Sequence, residues 1–129
     1  SDYNFGDIEE FIQIQNEEPL AIAQIERRAA VENLKEIISV PGIDVALVGP
    51  EDLSLSYGLP GQMDHPIVVE AIQKVIDISI EAGVTPGIHM GSIERLSKWS
   101  DRGMQMIMYN SDLGFLIEGA ESGVKALKS

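Results

Sequence analysis

The stretch that decides the fold is Val45-Ala-Leu-Val-Gly-Pro-Glu-Asp-Leu-Ser54. It opens as a short apolar run, the mark of a strand buried on both faces. It breaks at Gly49-Pro50. Glycine lets the chain turn and lets another group approach its backbone closely. Proline suits the first position of a helix, where its missing N–H costs nothing. Glu51 and Asp52 then fall on the first turn of a short helix, just past a strand end. In parallel α/β proteins that end of the strand is where ligands bind, and free N–H groups at a helix start favour anions. A carboxylate able to grip a metal is thus expected beside a cradle for an acidic ligand.

The flanking sequence repeats the pattern. Upstream, residues 6–18 suit a short amphipathic helix closed by Pro19, and Leu20–Glu26 suits a strand. Alternation places Ile22, Gln24 and Glu26 on one face of that strand. Residues 28–39 read as a helix burying Ala29, Ala30, Leu34, Ile37 and Ile38, ended by Pro41-Gly42, and Ile43–Val48 as the second strand. Downstream, residues 51–57 form a helical turn and residues 58–65 a polar loop. Asp64-His65-Pro66 opens a long helix to about Ala82, with Ile67, Ala71, Val75 and Ile78 inward and Gly83 as terminator. Val84–Met90 is the third strand, though Pro86 and Gly87 are poor residues for a central strand. Ser92 caps a helix to about Asp101, Met104–Tyr109 is the fourth strand, and Ser111 or Asp112 caps a final helix. Met104, Met106 and Met108 are expected to pack against helices.

Strands alternating with helices demand a parallel sheet with right-handed crossovers. About four such units in one domain, residues 1–129, make either a small open α/β sandwich or half of an eight-fold barrel. A formal net charge of −12 argues against nucleic acid and acidic membrane as partners, and means that an acidic substrate needs a local cation. There are no cysteines, so thiolate chemistry and disulfides are excluded. No apolar run approaches the roughly 18 residues of a membrane span, and Ser1–Phe5 lack a signal pattern; a cytoplasmic location is expected.

Glu26 and Asp52 each follow a strand end, one unit apart. Neighbouring strands lie about 4.8 Å apart, so both carboxylates can reach one ion. Oxygen ligands favour a hard divalent cation, Mg²⁺ or Mn²⁺, which would polarise the carbonyl of a chelated 2-ketoacid. Plainer readings stand beside this one. Glu26 can pair with Arg27 or Arg28, Asp52 can complement the helix dipole, and Gln24 can be a buried amide. His89, on a face with Thr85 and Gly87, reads more simply as a satisfied structural histidine than as a ligand; it should point at the ligand if Gly87 lines the pocket. His65 reads as a loop residue, and Ser54 and Ser56 lack a nearby base. No lysine falls at a strand end, which argues against Schiff-base chemistry.

Gln24-Ile-Glu26, Gly49-Pro-Glu-Asp-Leu-Ser54 and His65-Pro66 resemble the 2,4-dihydroxyhept-2-ene-1,7-dioate (HpcH/HpaI) aldolase family of metal-dependent pyruvate aldolases. So do Ala30–Leu34, Val40–Asp44, Tyr57-Gly58 with Pro60-Gly61, Ala82-Gly83, Gly87-Ile88 and Ser111-Asp112. The resemblance implies the C-terminal half of a TIM (β/α)8 barrel. It implies a class II aldolase that cleaves 2-keto-4-hydroxy acids to pyruvate and an aldehyde. The metal, Mg²⁺ or Mn²⁺ with Co²⁺ as a further candidate, would be held by Glu26 and Asp52. The ketoacid would be bound around Gly49, Glu51 and Asp52, with Gln24 and His89 nearby. The family's catalytic histidine and arginine belong to the other half, so no catalytic residue is assigned here and this segment alone is expected to be inactive. A homo-oligomer is also implied. Two positions depart from the family pattern. His89 stands where an apolar residue usually lies against the pyruvate methyl group, and Tyr109-Asn110 replaces a Val-Gly pair.

A half barrel would leave edge strands near residues 20–26 and 104–109. The alternatives are therefore a non-catalytic metal-binding or oligomerisation module, or another enolate-forming lyase.

Overall fold

Apolar runs of four to six residues pair side by side, each followed by helix. The computed structural model describes residues 19–129; the helix expected over residues 6–18 lies outside them. In chain order the elements are β1 (Ile22–Ile25), α1 (Arg28–Glu32), α2 (Leu34–Ile38), β2 (Val45–Val48), α3 (Pro50–Ser56), α4 (Pro66–Glu81), β3 (Thr85–Met90), α5 (Ile93–Asp101), β4 (Met106–Tyr109) and α6 (Asp112–Lys128).

The strands form one parallel sheet in the order β1-β2-β3-β4, with Ile25 beside Val48, Val48 beside Ile88 and Ile88 beside Ile107. This order decides between the two architectures. Right-handed crossovers between sequential neighbours carry every helix to the same face of the sheet. A doubly wound sandwich instead reverses its strand order at a switch point. The chain therefore has the winding of a barrel wall, four βα units of a TIM barrel, and among the described residues β1 and β4 are the outer strands.

The core lies between the sheet and its helices. Ile25, Val48, Ile88 and Met90 face Leu34, Ile38, Val68, Ile72, Val75, Ile76, Leu96 and Trp99. The long helix α4 lies across β2 and β3 and also touches α1, α2 and α3, so it ties the units together. Its residues Val68, Ile72, Val75 and Ile76 are fully buried, each stabilising by roughly 1.5–3 kcal/mol. Pro66 at its start fits that role, and His65 caps it, Nδ1 accepting from the Ile67 N–H at 3.2 Å. Among the described residues no helix is long and apolar enough to cross a membrane.

Several local expectations change. The helix over 28–39 is two helices, because Asn33 departs from helical backbone and donates its side-chain amide to the Ala29 carbonyl at 2.9 Å. Val31, not Ala29, takes the buried position there. Ile67 is half exposed, since the buried face of the first turn of α4 is taken by Val68. The strands are shorter than read, with β4 starting at Met106. Met104 packs inward as expected, but Met108 sits on the edge strand and is 37% exposed.

Pro86 is tolerated inside β3. Its carbonyl accepts from the Gln105 N–H at 3.1 Å, so its nitrogen faces the same side, at a level where β4 has not begun, and no ladder bond is lost. At Gly87 a Cβ would meet Leu47 Cδ1 at 3.2 Å and Val45 Cγ1 and Met106 Cβ at 3.3 Å. The neighbouring strands' side chains close over it. Gly87→Ala is expected to lower stability by about 1–3 kcal/mol, read as a lower urea midpoint with an unchanged slope. Gly119 lies within α6 with open space around it. Gly119→Ala should instead raise stability, by up to about 1 kcal/mol.

Candidate active site

In a parallel sheet all strand C-termini reach one end, so the four loops that follow them meet there. They enclose a cavity of about 420 Å³. Gln24 and Glu26 come from β1, Gly49, Glu51 and Asp52 from the turn after β2, and His89 from β3. Every residue chosen from the sequence for the site lines this one cavity. His89 lines the cavity although Gly87, on the same strand face, does not; Leu47, Val45 and Met106 cover that glycine.

Glu26 lies close over residue 49, whose lack of a side chain leaves room for it. A Cβ there would sit 3.2 Å from Glu26 Cγ and 3.4 Å from its Oε1. The Gly49 backbone is ordinary extended chain, φ −103°, so the glycine serves close approach rather than an unusual turn. The Glu26 stem thus lies over the start of α3, the helix that carries Asp52 on its first turn.

Hydrogen bonds hold these two loops together. The Gly49 N–H donates to the Ile25 carbonyl at 3.3 Å, and the Arg28 N–H donates to Ser56 Oγ at 2.7 Å. Glu26 and Arg27 lie between those two fixed points. Ser54 is fully buried and donates to the Glu51 carbonyl at 2.7 Å, which makes it part of the helix start. The plainer reading of Glu26 is not seen: Arg28 pairs with Glu32 at 2.8 Å and lies over the Tyr57 ring, and among the described residues no ion pair involves Glu26.

Across the cavity, His89 Nε2 lies 2.6 Å from the Asn110 carbonyl. A carbonyl only accepts, so Nε2 carries the proton and Nδ1 keeps a lone pair or a second proton. Asn110 holds the left-handed backbone, φ 62°, which asparagine tolerates better than most residues. Its side chain accepts from the Ser111 N–H at 2.9 Å and donates to Glu118 at 3.1 Å. Gly114 makes room for it, since a Cβ there would overlap Asn110 Oδ1. The Tyr109 hydroxyl donates to the same Glu118 carboxylate at 3.0 Å. Tyr109, Asn110 and Glu118 form a polar clasp between β4 and α6.

The sequence reading missed Arg95, Ser92, Asn110, Ser111 and Met63 as lining residues. For Arg95 a signal existed: a cation one turn past a strand end in a strongly acidic chain. No cluster of three or more His, Cys, Asp or Glu side chains able to hold a metal occurs among the described residues. Glu26 and Asp52 are two oxygen donors, a set that suits a hard cation keeping several positions for water or substrate.

Comparison with known proteins gives a consistent result. The sequence profile of the HpcH/HpaI aldolase/citrate lyase family matches residues 4–119. The chain is 33% identical over 115 residues to 4-hydroxy-2-oxo-heptane-1,7-dioate aldolase of Shigella sonnei, covering 89% of this chain and 44% of that protein. The enzyme of the same name from Salmonella typhimurium is 35% identical over 115 residues. Among solved structures, an HpcH/HpaI aldolase of Desulfitobacterium hafniense superposes with a TM-score of 0.80 at 33% identity, over 99% of this chain and 50% of that one. An HpcH/HpaI aldolase/citrate lyase family protein of Burkholderia cenocepacia gives 0.84 at 29% identity, over 97% and 49%. The chain spans about half the length of the curated relatives it matches.

The Tyr109–Glu118 contact has a measurable signature. Donating to the Glu118 carboxylate, followed by some desolvation, raises the Tyr109 hydroxyl above the ordinary tyrosine range. The clasp's contribution is therefore fully present below about pH 10 and is lost as pH rises through the raised value. Glu118→Gln should bring one tyrosine's ionisation back toward about pH 10, seen as an earlier rise of absorbance at 295 nm. No change in the titration curve would contradict the contact.

Proposed function

The chain belongs to the HpcH/HpaI aldolase/citrate lyase family, and from that premise we propose that it carries the metal and ketoacid half of a class II pyruvate aldolase. The proposed reaction is retro-aldol cleavage of a 2-keto-4-hydroxy acid to pyruvate and an aldehyde. The observation that carries the reading is the passage of Glu26 over Gly49. It brings one carboxylate to the helix turn that bears another, in a cavity at the C-terminal end of the sheet.

Glu26 and Asp52 would hold a divalent cation, Mg²⁺ or Mn²⁺, with Co²⁺ as a further candidate. Such an ion, when bound, supplies a Lewis acid for the ketone oxygen. The remaining work falls to the chain's own groups. The N–H groups of Glu51 and Asp52 belong to the first turn of α3 and have no acceptor within the helix. They can donate to the ketoacid carboxylate. Gln24, on the same strand face as Glu26, presents an amide to the cavity beside it. His89, fixed through Nε2, sets the polarity of the wall nearest the substrate's carbon chain.

The acid–base groups for proton transfer are supplied, in this reading, by the other half of the barrel. The chain alone is then inactive or nearly so. A homo-oligomer belongs to the same reading and rests on the family resemblance. An observation that favours a second reading is the pair of open sheet edges, with Ile22 on β1 40% exposed and Ile107 on β4 also 40% exposed. A module that assembles through those edges, without catalysis, would show the same feature.

Calorimetry with Mn²⁺ separates the two readings. The aldolase reading expects binding to this chain that strengthens with pyruvate present and falls at least about 10-fold in either Glu26→Gln or Asp52→Asn, in keeping with charge-assisted ligation. Binding indifferent to both substitutions would overturn the metal site and favour the assembly module.

A further inference from the structure

We infer that Arg95 recognises a second carboxylate on the substrate, carried at the end remote from the ketoacid. This inference rests on the aldolase reading above. Its starting point is charge. The chain carries −12, and the cavity is lined by the carboxylates of Glu26, Glu51 and Asp52. Among the described lining residues Arg95 is the only Lys or Arg. From this chain, an anionic group entering the cavity away from the proposed metal ligands meets that guanidinium as counter-charge.

Helix stability does not account for Arg95. It stands on the first turn of α5, three residues after the Ser92 cap that accepts from its N–H at 3.3 Å. The positive end of the helix dipole disfavours a cation there. The side chain is nonetheless held in place, Nη2 donating to Asp64 Oδ2 at 2.6 Å. Asp64 comes from the loop after α3, so the pair joins the loops that follow β2 and β3 beside the cavity. The two side chains are 35% and 71% exposed, and a pair this open contributes little to stability. A ligand can displace or share it. The guanidinium fork has five N–H donors in a plane that matches a carboxylate, and Asp64 engages one nitrogen. The Asp64 contact shows that a carboxylate can reach the fork.

The arrangement also gives the ligand a direction. Glu26 and Asp52 follow β1 and β2, whereas Arg95 follows β3. A ketoacid held at the first pair would extend its other end across the cavity toward Arg95. At about 420 Å³ the cavity lies in the range of small-molecule sites and leaves space beyond a three-carbon acid.

The test compares two 4-hydroxy-2-oxo acids of equal length, one ending in a carboxylate and one in a methyl group, with the full-length protein that carries this chain. Pyruvate release gives kcat/KM for each. Arg95→Met is expected to lower the ratio of the carboxylate-ended to the methyl-ended value by about 10-fold or more, chiefly through KM. Arg95→Lys, which keeps the charge but not the fork, should retain part of the ratio and guards against a folding defect in the first variant. An unchanged ratio in both variants, whatever the absolute rates, overturns the inference and leaves the aldolase reading intact. Absence of turnover of both substrates by the parent protein overturns the aldolase reading itself, and with it the role of Arg95.

Discussion

The register between β1 and β2 is the constraint on which the site depends. Ile25 pairs with Val48, so the next residues along, Glu26 and Gly49, emerge side by side. Side chains alternate with a period of two, and a slip of one residue would turn Glu26 to the helix-covered face. The register is fixed because one face of each strand must be buried: Ile25, Val48 and Ile88 all pack under the helices. The hydrophobic core therefore positions the carboxylate, although no core residue touches it. The glycine then completes the work, leaving a gap into which the Glu26 stem fits.

Charge is distributed on the same plan. Acidic side chains gather at the strand ends, where a cation would compensate them, and the exposed ion pairs elsewhere are local helix pairs such as Arg28–Glu32 and Glu94–Lys98. A cavity of this sign repels acids unless something offsets it. The polar clasp of Tyr109, Asn110 and Glu118 sits opposite and contributes shape more than charge, through the left-handed Asn110 backbone that points its carbonyl at His89.

Much of this was legible in the sequence because the signals were local and unambiguous. Gly49-Pro50 after an apolar run marks a strand-to-helix turn, and Ser92 before a polar-apolar pattern marks a helix start; both stand where they were read. The sheet order was not legible from patterns alone, since four βα units fit either a sandwich or a barrel. Other differences come from tertiary context. Asn33 leaves helical backbone while its side-chain amide joins its own N–H on the Ala29 carbonyl. Pro86 looked costly for a central strand, and is not, because the late start of β4 removes the bond it would have broken. Arg95 went unnoticed because periodicity marks the face of a helix that packs, and carries no information about which loops converge on its first turn.

The sequential strand order has a consequence for dynamics. Each strand contacts chiefly its neighbours in the chain, so the units behave nearly as a one-dimensional stack, in which opening begins at the ends. Glu26 is carried by a four-residue edge strand, while Asp52 hangs from an inner one whose four residues are all buried. Among the described residues, a ligand that bridges the two would tie an outer strand to an inner one. Occupancy of the site and pairing of β1 with β2 would then favour one another.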